Sequence, residues 1–140
     1  MKIVLANLDN RVIAVKDDDF VLADTATDLS VMPWTGSVPE IGTYYKDGKF
    51  VTMWQALSHD NKVDEVRKRR NSLLAETDWL VLRHEDQLRL KIITTLSDVQ
   101  YNRLLSYRQA LRDIVDTIGS TVDSVNSIDD ISWPTKPDFI

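Results

Sequence analysis

The sequence predicts an α+β protein in which a small β-rich module precedes a helical hairpin or small helical bundle with an extended C-terminal tail. Three observations support this. Turn-punctuated β-prone runs fill the first part of the chain, and three of the four glycines lie there. Beyond Ser58 the apolar residues recur at helical spacing. The last residues, Trp133-Pro134-Thr135-Lys136-Pro137, carry prolines that rule out a further helix. The expected division is a β-rich module over 1–57 and a helical domain over 58–140.

The N-terminal elements follow from local chemistry. Ile3-Val4-Leu5 and Val12-Ile13-Ala14-Val15 are β-prone runs separated by the turn Leu8-Asp9-Asn10-Arg11, which predicts a hairpin. Asp17-Asp18-Asp19, Phe20-Val21-Leu22 and a polar stretch from Asp24 to Ser30 follow. Pro33, Gly36, Pro39 and Gly42 then predict an irregular loop with brief extended pieces. In Tyr44-Tyr45-Lys46-Asp47-Gly48-Lys49-Phe50-Val51, Asp47-Gly48 between aromatic β-prone runs is the strongest hairpin signal of the chain.

The helical part has two clear stripes. Val63, Val66, Arg70, Leu73 and Thr77 are spaced 3-4-3-4, with Leu74 alongside, and predict a helix over 62–77 capped by Asp60 or Asn61. A shorter helix is expected over 85–94. Ser97-Asp98-Val99-Gln100 has the form of a capping box, and Leu104, Tyr107, Leu111, Ile114 and Ile118 again run 3-4-3-4 up to Gly119, a helix-terminating residue. Matching stripes on two helices predict an antiparallel pair. Ser120 to Asp130 reads as a mobile connector.

Composition narrows the function. The chain has 140 residues, about one domain's worth. It lacks cysteine, which removes disulfides, thiolate metal sites and cysteine nucleophiles, and it has only two histidines. The net charge is -5, from five cations against eight carboxylates in 1–57 and twelve against fourteen in 58–140. Neither part has the cationic excess by which proteins displace counterions from nucleic acid, so no nucleic-acid partner is expected. No run approaches the roughly 20 apolar residues of a membrane span, and Met1–Ala6 is too short for a secretory core. A cytoplasmic chain with no membrane partner is expected.

Individual motifs carry little catalytic chemistry. Ser58-His59-Asp60 holds the three side chains of a hydrolase triad, but adjacent residues splay apart instead of converging. His59 and His84 are 25 residues apart and lack companion zinc ligands. Asp17-Asp18-Asp19 lacks the alternating acids, glycine and closing glutamate of an EF-hand and reads as a solvated loop. Arg67-Lys68-Arg69-Arg70 spreads around a helix at 100° per residue, with Asp64, Glu65, Glu76 and Asp78 in reach, and reads as a solvated face. No catalytic residue, metal ligand or cofactor is expected, and the protein is read as a non-enzyme. The four tryptophans stand out instead. Trp79 reads as core at the end of the first helix. Trp34 and Trp54 lie in loop-rich sequence where exposed aromatics signal binding surfaces, and with Tyr44 and Tyr45 they are the expected partner-contacting residues.

Three ordered motifs then resemble a known family. Arg70-Asn71-Ser72-Leu73-Leu74-Ala75-Glu76-Thr77-Asp78-Trp79 is similar to the R-x-x-L-L-x-x-[ST]-D-W segment of bacteriophage tail assembly chaperone-like domains, also described as tail fibre assembly proteins. Tyr107-Arg108-Gln109-Ala110-Leu111-Arg112-Asp113-Ile114 is similar to the family's Y-R-Q-A-L-R-D-[ILF], and Trp133-Pro134-Thr135-Lys136-Pro137 to its W-P-x-x-P. The stretch from Val38-Pro39 to Phe50 also resembles the G-x-x-Y-x-x-G-x-F element that precedes such domains. Residues 1–37 carry no resemblance. Leu80 to Gln87 resembles the connection of a longer family variant.

Within the scaffold, Leu73 and Leu74 are expected to face the helix bearing Leu104, Leu111 and Ile114. Asp78 is expected to pair with Arg108 or Arg112, Trp79 to close the hairpin, and Trp133-Pro134 to fold the tail back across the bundle. The resemblance implies a non-enzymatic factor that binds a phage tail fibre or another tail protein and assists its folding, trimerisation or attachment. The alternative it leaves is a structural virion component, an adaptor or decoration of the fibre or baseplate. Self-association stays open. The expected location is the host cytoplasm during assembly, or the virion for a structural component.

Overall fold

A computed structural model describes residues 1–17 and 28–140. The Asp18-Asp19 part of the acidic run, Phe20-Val21-Leu22 and the polar stretch up to residue 27 lie outside the described residues. The fold is α+β. The chain divides into two compact units, Met1–Ser58 and His59–Ile140.

The first unit is built on a three-stranded antiparallel sheet of β1 (Lys2–Asn7), β2 (Val12–Asp17) and β3 (Leu29–Trp34), in the order β2-β1-β3. The predicted first hairpin is present. Its turn is held by the Asn7 side chain, which accepts from the Asp9 and Arg11 amides at 3.1 and 2.9 Å, with Asn10 in the left-handed region at φ 61°. Register shifts at Leu5/Ala6, where β2 carries a bulge. β3 corrects the expectation of an irregular loop: Leu29–Trp34 pairs along the whole of β1. Pro33 hides this strand from sequence reading. A strand bonded only to β1 at the sheet edge tolerates a residue with no N–H.

Residues 42–45 strap the start of β2 through Val12 N–H to Thr43 O (2.7 Å) and Gly42 N–H to Val12 O (2.8 Å). Gly42 sits at φ 96°, which only glycine adopts without strain. The Asp47-Gly48 hairpin joins β4 (Tyr44–Lys46) to β5 (Lys49–Val51), and φ values of 51° and 82° are those of a type I′ turn. A one-turn helix, α1 (Met53–Ala56), follows. Its signal, Thr52 and Gln55 forming a reciprocal capping box, is readable in the sequence but is overshadowed by the neighbouring strand pattern. Val4, Leu5, Ala6, Val12, Val51 and Trp54 are buried in this unit.

The second unit is a hairpin of α2 (His59–Arg89) and α3 (Asp98–Ile118) with the C-terminal residues laid over it. α2 corrects the expectation of separate helices over 62–77 and 85–94. No glycine or proline interrupts 59–89, so the helix continues through Trp79 although its apolar stripe weakens there. Thirty-one residues give a helix about 46 Å long. The connection to α3 is held by Gln87, whose amide donates to the Thr95 hydroxyl and accepts the Thr95 N–H, both at 2.9 Å. Lys91 turns the chain at φ 54°. The capping box of Ser97 and Gln100 opens α3 as predicted.

Val66, Thr77, Leu80 and His84 of α2 are buried, as are Leu104, Tyr107, Arg108, Leu111, Ile114 and Ile118 of α3. Gly119 does not stop α3 in the left-handed manner expected of it. It stays right-handed (φ -51°), and the chain winds on into turns that bury Val122. Residues 120–130 are therefore docked, contrary to the reading as a mobile connector. Val122 is 1% exposed, Asp123 pairs with His59 and Lys62, and a 3₁₀ turn at Ile128–Asp130 brings Asp129 to Arg69. Phe139 and Ile140 then pack on Leu80, Leu96 and Leu104 near the hairpin connection.

Candidate interaction surfaces

The motif residues of the second unit meet in one internal network. Arg108 reaches from α3 to α2, donating through Nη1 to the Leu74 carbonyl (2.9 Å) and the Thr77 hydroxyl (2.6 Å), and through Nη2 to Asp78 (2.7 Å). Thr77 in turn donates to Leu74 O at 3.0 Å. A planar guanidinium can serve three acceptors in this geometry because its N–H groups form a fixed fork. Of the two arginines expected as partners, Arg108 pairs with Asp78, which lies inside α2 and not at its end. Leu73 and Leu74 are only half-buried, and the contribution of Leu74 to the seam includes its backbone carbonyl.

Trp79 departs from its expected core position. It is 55% exposed in mid-helix, with the Arg83 guanidinium 4.7 Å from the ring centroid. Trp133 keeps its expected place: its N–H donates to Ile128 O at 2.9 Å and Arg69 lies over its ring at 5.1 Å. Lys136 reaches Glu76 at 3.3 Å and Asp138 reaches Arg103 at 3.0 Å, so the tail lies back across the helices. The basic cluster is neutralised locally, Arg67 by Asp64, Lys68 by Glu65 and Arg69 by Asp129.

Two polar side chains, Lys62 and His84, are buried where the sequence did not indicate burial. Lys62 is 6% exposed and donates to Asp123 at 3.0 Å. The hydrogen bonds from His59 first, and then Lys62, hold the Asp123 carboxyl below the usual range. His84 is 2% exposed, stacks on Tyr101 at 3.7 Å between centroids, and leaves its Nδ1 without a hydrogen-bond partner among the described residues. Burial first, and then the hydrogen bond to Glu85 at 2.7 Å, push the Tyr101 hydroxyl up to about 12. A single polar residue in an apolar stripe looks the same in sequence whether it faces solvent or a neighbour.

In the first unit, Trp34 is half-buried, donates its N–H to Ser37 O at 2.7 Å and meets Phe50 edge-on at 4.8 Å. Tyr45 leans on the same Phe50 at 5.2 Å, and Tyr44, also half-buried, pairs through its backbone with Arg11 in an isolated β-bridge. Trp54 is 7% exposed, so its ring packs inside the unit rather than lying open in a loop. The aromatic cluster is thus Trp34, Tyr45 and Phe50, with Phe50 an addition to the sequence reading.

His59 turns its Nδ1 to Asp123 at 2.6 Å, a partner 64 residues away. Among the described residues no group of three or more His, Cys, Asp or Glu is placed to hold a metal ion, and no helix is long and apolar enough to cross a membrane. The second unit instead offers apolar side chains to solvent on a firm frame: Leu82, Leu90, Ile92, Ile93 and Val99 are all more than half exposed.

Residues 63–138 match the family model described as phage tail assembly chaperone protein. That span is more than half of the chain, and the chain belongs to this family. Its role lies in phage tail assembly, with tail proteins as its partners. Comparison with curated proteins and with solved structures returns no match.

Proposed function

We propose that the protein is a non-enzymatic assembly factor that binds a phage tail fibre or another tail protein and assists its folding, trimerisation or attachment. The observation that carries this reading is the family match over the helical unit. The physical case for such a factor is that trimeric fibres depend on slow, non-local strand pairing, during which apolar surface stays open to aggregation. A frame whose motif residues are spent on its own seam and which presents apolar side chains outward suits that task. In the first unit, Trp34, Tyr44 and Tyr45 are the proposed partner contacts; Trp54, expected among them, is buried at 7% exposure. The factor works in the host cytoplasm during assembly.

Co-expression with the tail fibre protein of the same phage tests this. Soluble, trimeric fibre is expected only when both chains are made, and fibre that trimerises equally well alone would overturn the reading. Mass spectrometry of purified virions decides between factor and adaptor. A stoichiometric presence in mature particles would favour a structural adaptor of the fibre or baseplate.

A further inference from the structure

From Trp79 onward α2 carries a second apolar face. Trp79, Leu82 and Leu90 are 55%, 64% and 69% exposed, with Arg83 and Asp86 among them. Leu90 continues the helical line one residue past the end of α2, since its N–H donates to Asp86 O at 2.9 Å. At 100° per residue the five positions fall within about 100° of the helix circumference. Thr77 and His84, which meet Arg108 and Tyr101 of α3, lie on the other side, so this face is turned away from the seam. Apolar side chains grouped in this way mark a surface that another molecule covers.

The two charges on this face lack an opposite charge within the chain. The Arg83 guanidinium stands over the Trp79 ring at 4.7 Å, and among the described residues no carboxylate is in ion-pair range of it. The Asp86 carboxylate likewise has no cation in range among the described residues. A guanidinium that rests one face on an aromatic ring still offers its N–H edge to a carboxylate.

Spacing selects the occupant. Trp79 and Leu90 are 11 residues apart and Arg83 and Asp86 are three apart, and both pairs share one midpoint, between His84 and Glu85. Along the axis the apolar pair is separated by about 16 Å and the charged pair by about 4.5 Å. A two-fold axis crossing α2 at that midpoint lays a second copy antiparallel on this face. Trp79 then meets Leu90 of the second copy, Arg83 meets its Asp86, and each contact occurs twice. An isologous contact requires this symmetry, because one patch has to complement itself. A partner of different sequence imposes no such condition. A parallel arrangement in register would set Arg83 against Arg83, so the charges also fix the direction.

We infer that the chain pairs with a second copy through this face of α2, with Trp79 seated on Leu90 and two Arg83–Asp86 ion pairs at the centre. The inference is independent of the tail-assembly reading.

Sedimentation equilibrium of the full chain over a concentration series tests it, and a monomer–dimer equilibrium is expected. Arg83→Asp sets acid against acid and Asp86→Arg sets base against base, so each variant alone should dimerise about tenfold or more weakly. Mixed in equal amounts, the two variants should associate again to within about threefold of the parent, because acid then meets base in both pairs. Leu90→Glu should weaken dimerisation about tenfold, since it puts a charge against the Trp79 ring. These positions are exposed or half-buried, so thermal unfolding of the dilute variants should match that of the parent. A parent chain that stays monomeric up to about 1 mM overturns the inference. So does a dimer indifferent to the charge reversals, or a pair of variants that fails to associate on mixing. In a chain that stays monomeric, loss of tail-protein binding with Leu82→Glu would assign the face to the tail protein instead.

Discussion

Arg108 of α3 donates to the hydroxyl of Thr77 of α2 at 2.6 Å, and Thr77 is 0% exposed. This contact joins two of the family motifs across the helical seam, with Leu74 O and Asp78 completing the coordination of the guanidinium. Lysine offers one compact donor group and cannot reproduce the fork. Arg108→Lys should therefore destabilise the second unit by about 1–3 kcal/mol in urea unfolding, since buried acceptors lose their donor. A change under about 0.5 kcal/mol, the range of ordinary surface substitutions, would remove the network from the list of stabilising contacts.

Leu111 is 0% exposed on the same helix, in the stripe legible from sequence. Leu111→Asp places a carboxylate in the apolar seam, where an unpaired charge is poorly tolerated. Loss of the helical circular dichroism of the second unit is expected. Unchanged thermal unfolding would refute the hairpin packing.

His84 should be a site of gain. Its Nδ1 is buried without a partner among the described residues, at a desolvation cost of about 1–3 kcal/mol, and an apolar side chain of similar volume does not incur it. His84→Leu gives up the stack on Tyr101 and should still raise the melting temperature. A lower melting temperature would mean that the stack outweighs the orphaned nitrogen.

Tyr101 sets a limit on alkaline stability. Its hydroxyl is raised from the usual 10.0 to about 12, mainly by burial, so the folded state holds the proton more tightly than the unfolded chain. The stabilisation is complete below pH 10 and is lost as pH rises from about 10 to about 12. Chemical unfolding across that interval should show stability falling, and Tyr101→Phe should flatten the slope. An equal slope in both proteins would assign the effect to other groups.

Trp79 separates motif membership from packing. At 55% exposure, with Arg83 over its ring, Trp79→Ser should cost less than about 1 kcal/mol of stability, the scale of an exposed cation–π contact. A loss of about 3 kcal/mol or more in thermal unfolding would mean that the ring is buried as core after all.

What was readable in advance depended on how far apart the deciding residues lie. The fold class, the Asp47-Gly48 turn, the Ser97–Gln100 cap and the stripe of α3 follow from spacings of two to four residues, because backbone geometry and capping are settled within a turn. An ion pair of Asp78 with Arg108 or Arg112 was readable through the motifs, and the structure makes it Arg108. The stacking of buried His84 on Tyr101 was not, since a histidine in a helix looks the same in sequence whether it faces solvent or a neighbour.

Tertiary structure alone decided the remainder. Only pairing to β1 makes Leu29–Trp34 a strand, and only an edge position lets Pro33 stay in it. Residues 120–130 read as a mobile connector until Asp129 finds Arg69, 60 residues away. Trp54 was drawn inside and Trp79 left outside although the sequence pointed the other way. Burial is a property of which surfaces meet, and local sequence specifies the faces of each element without naming the face it will cover.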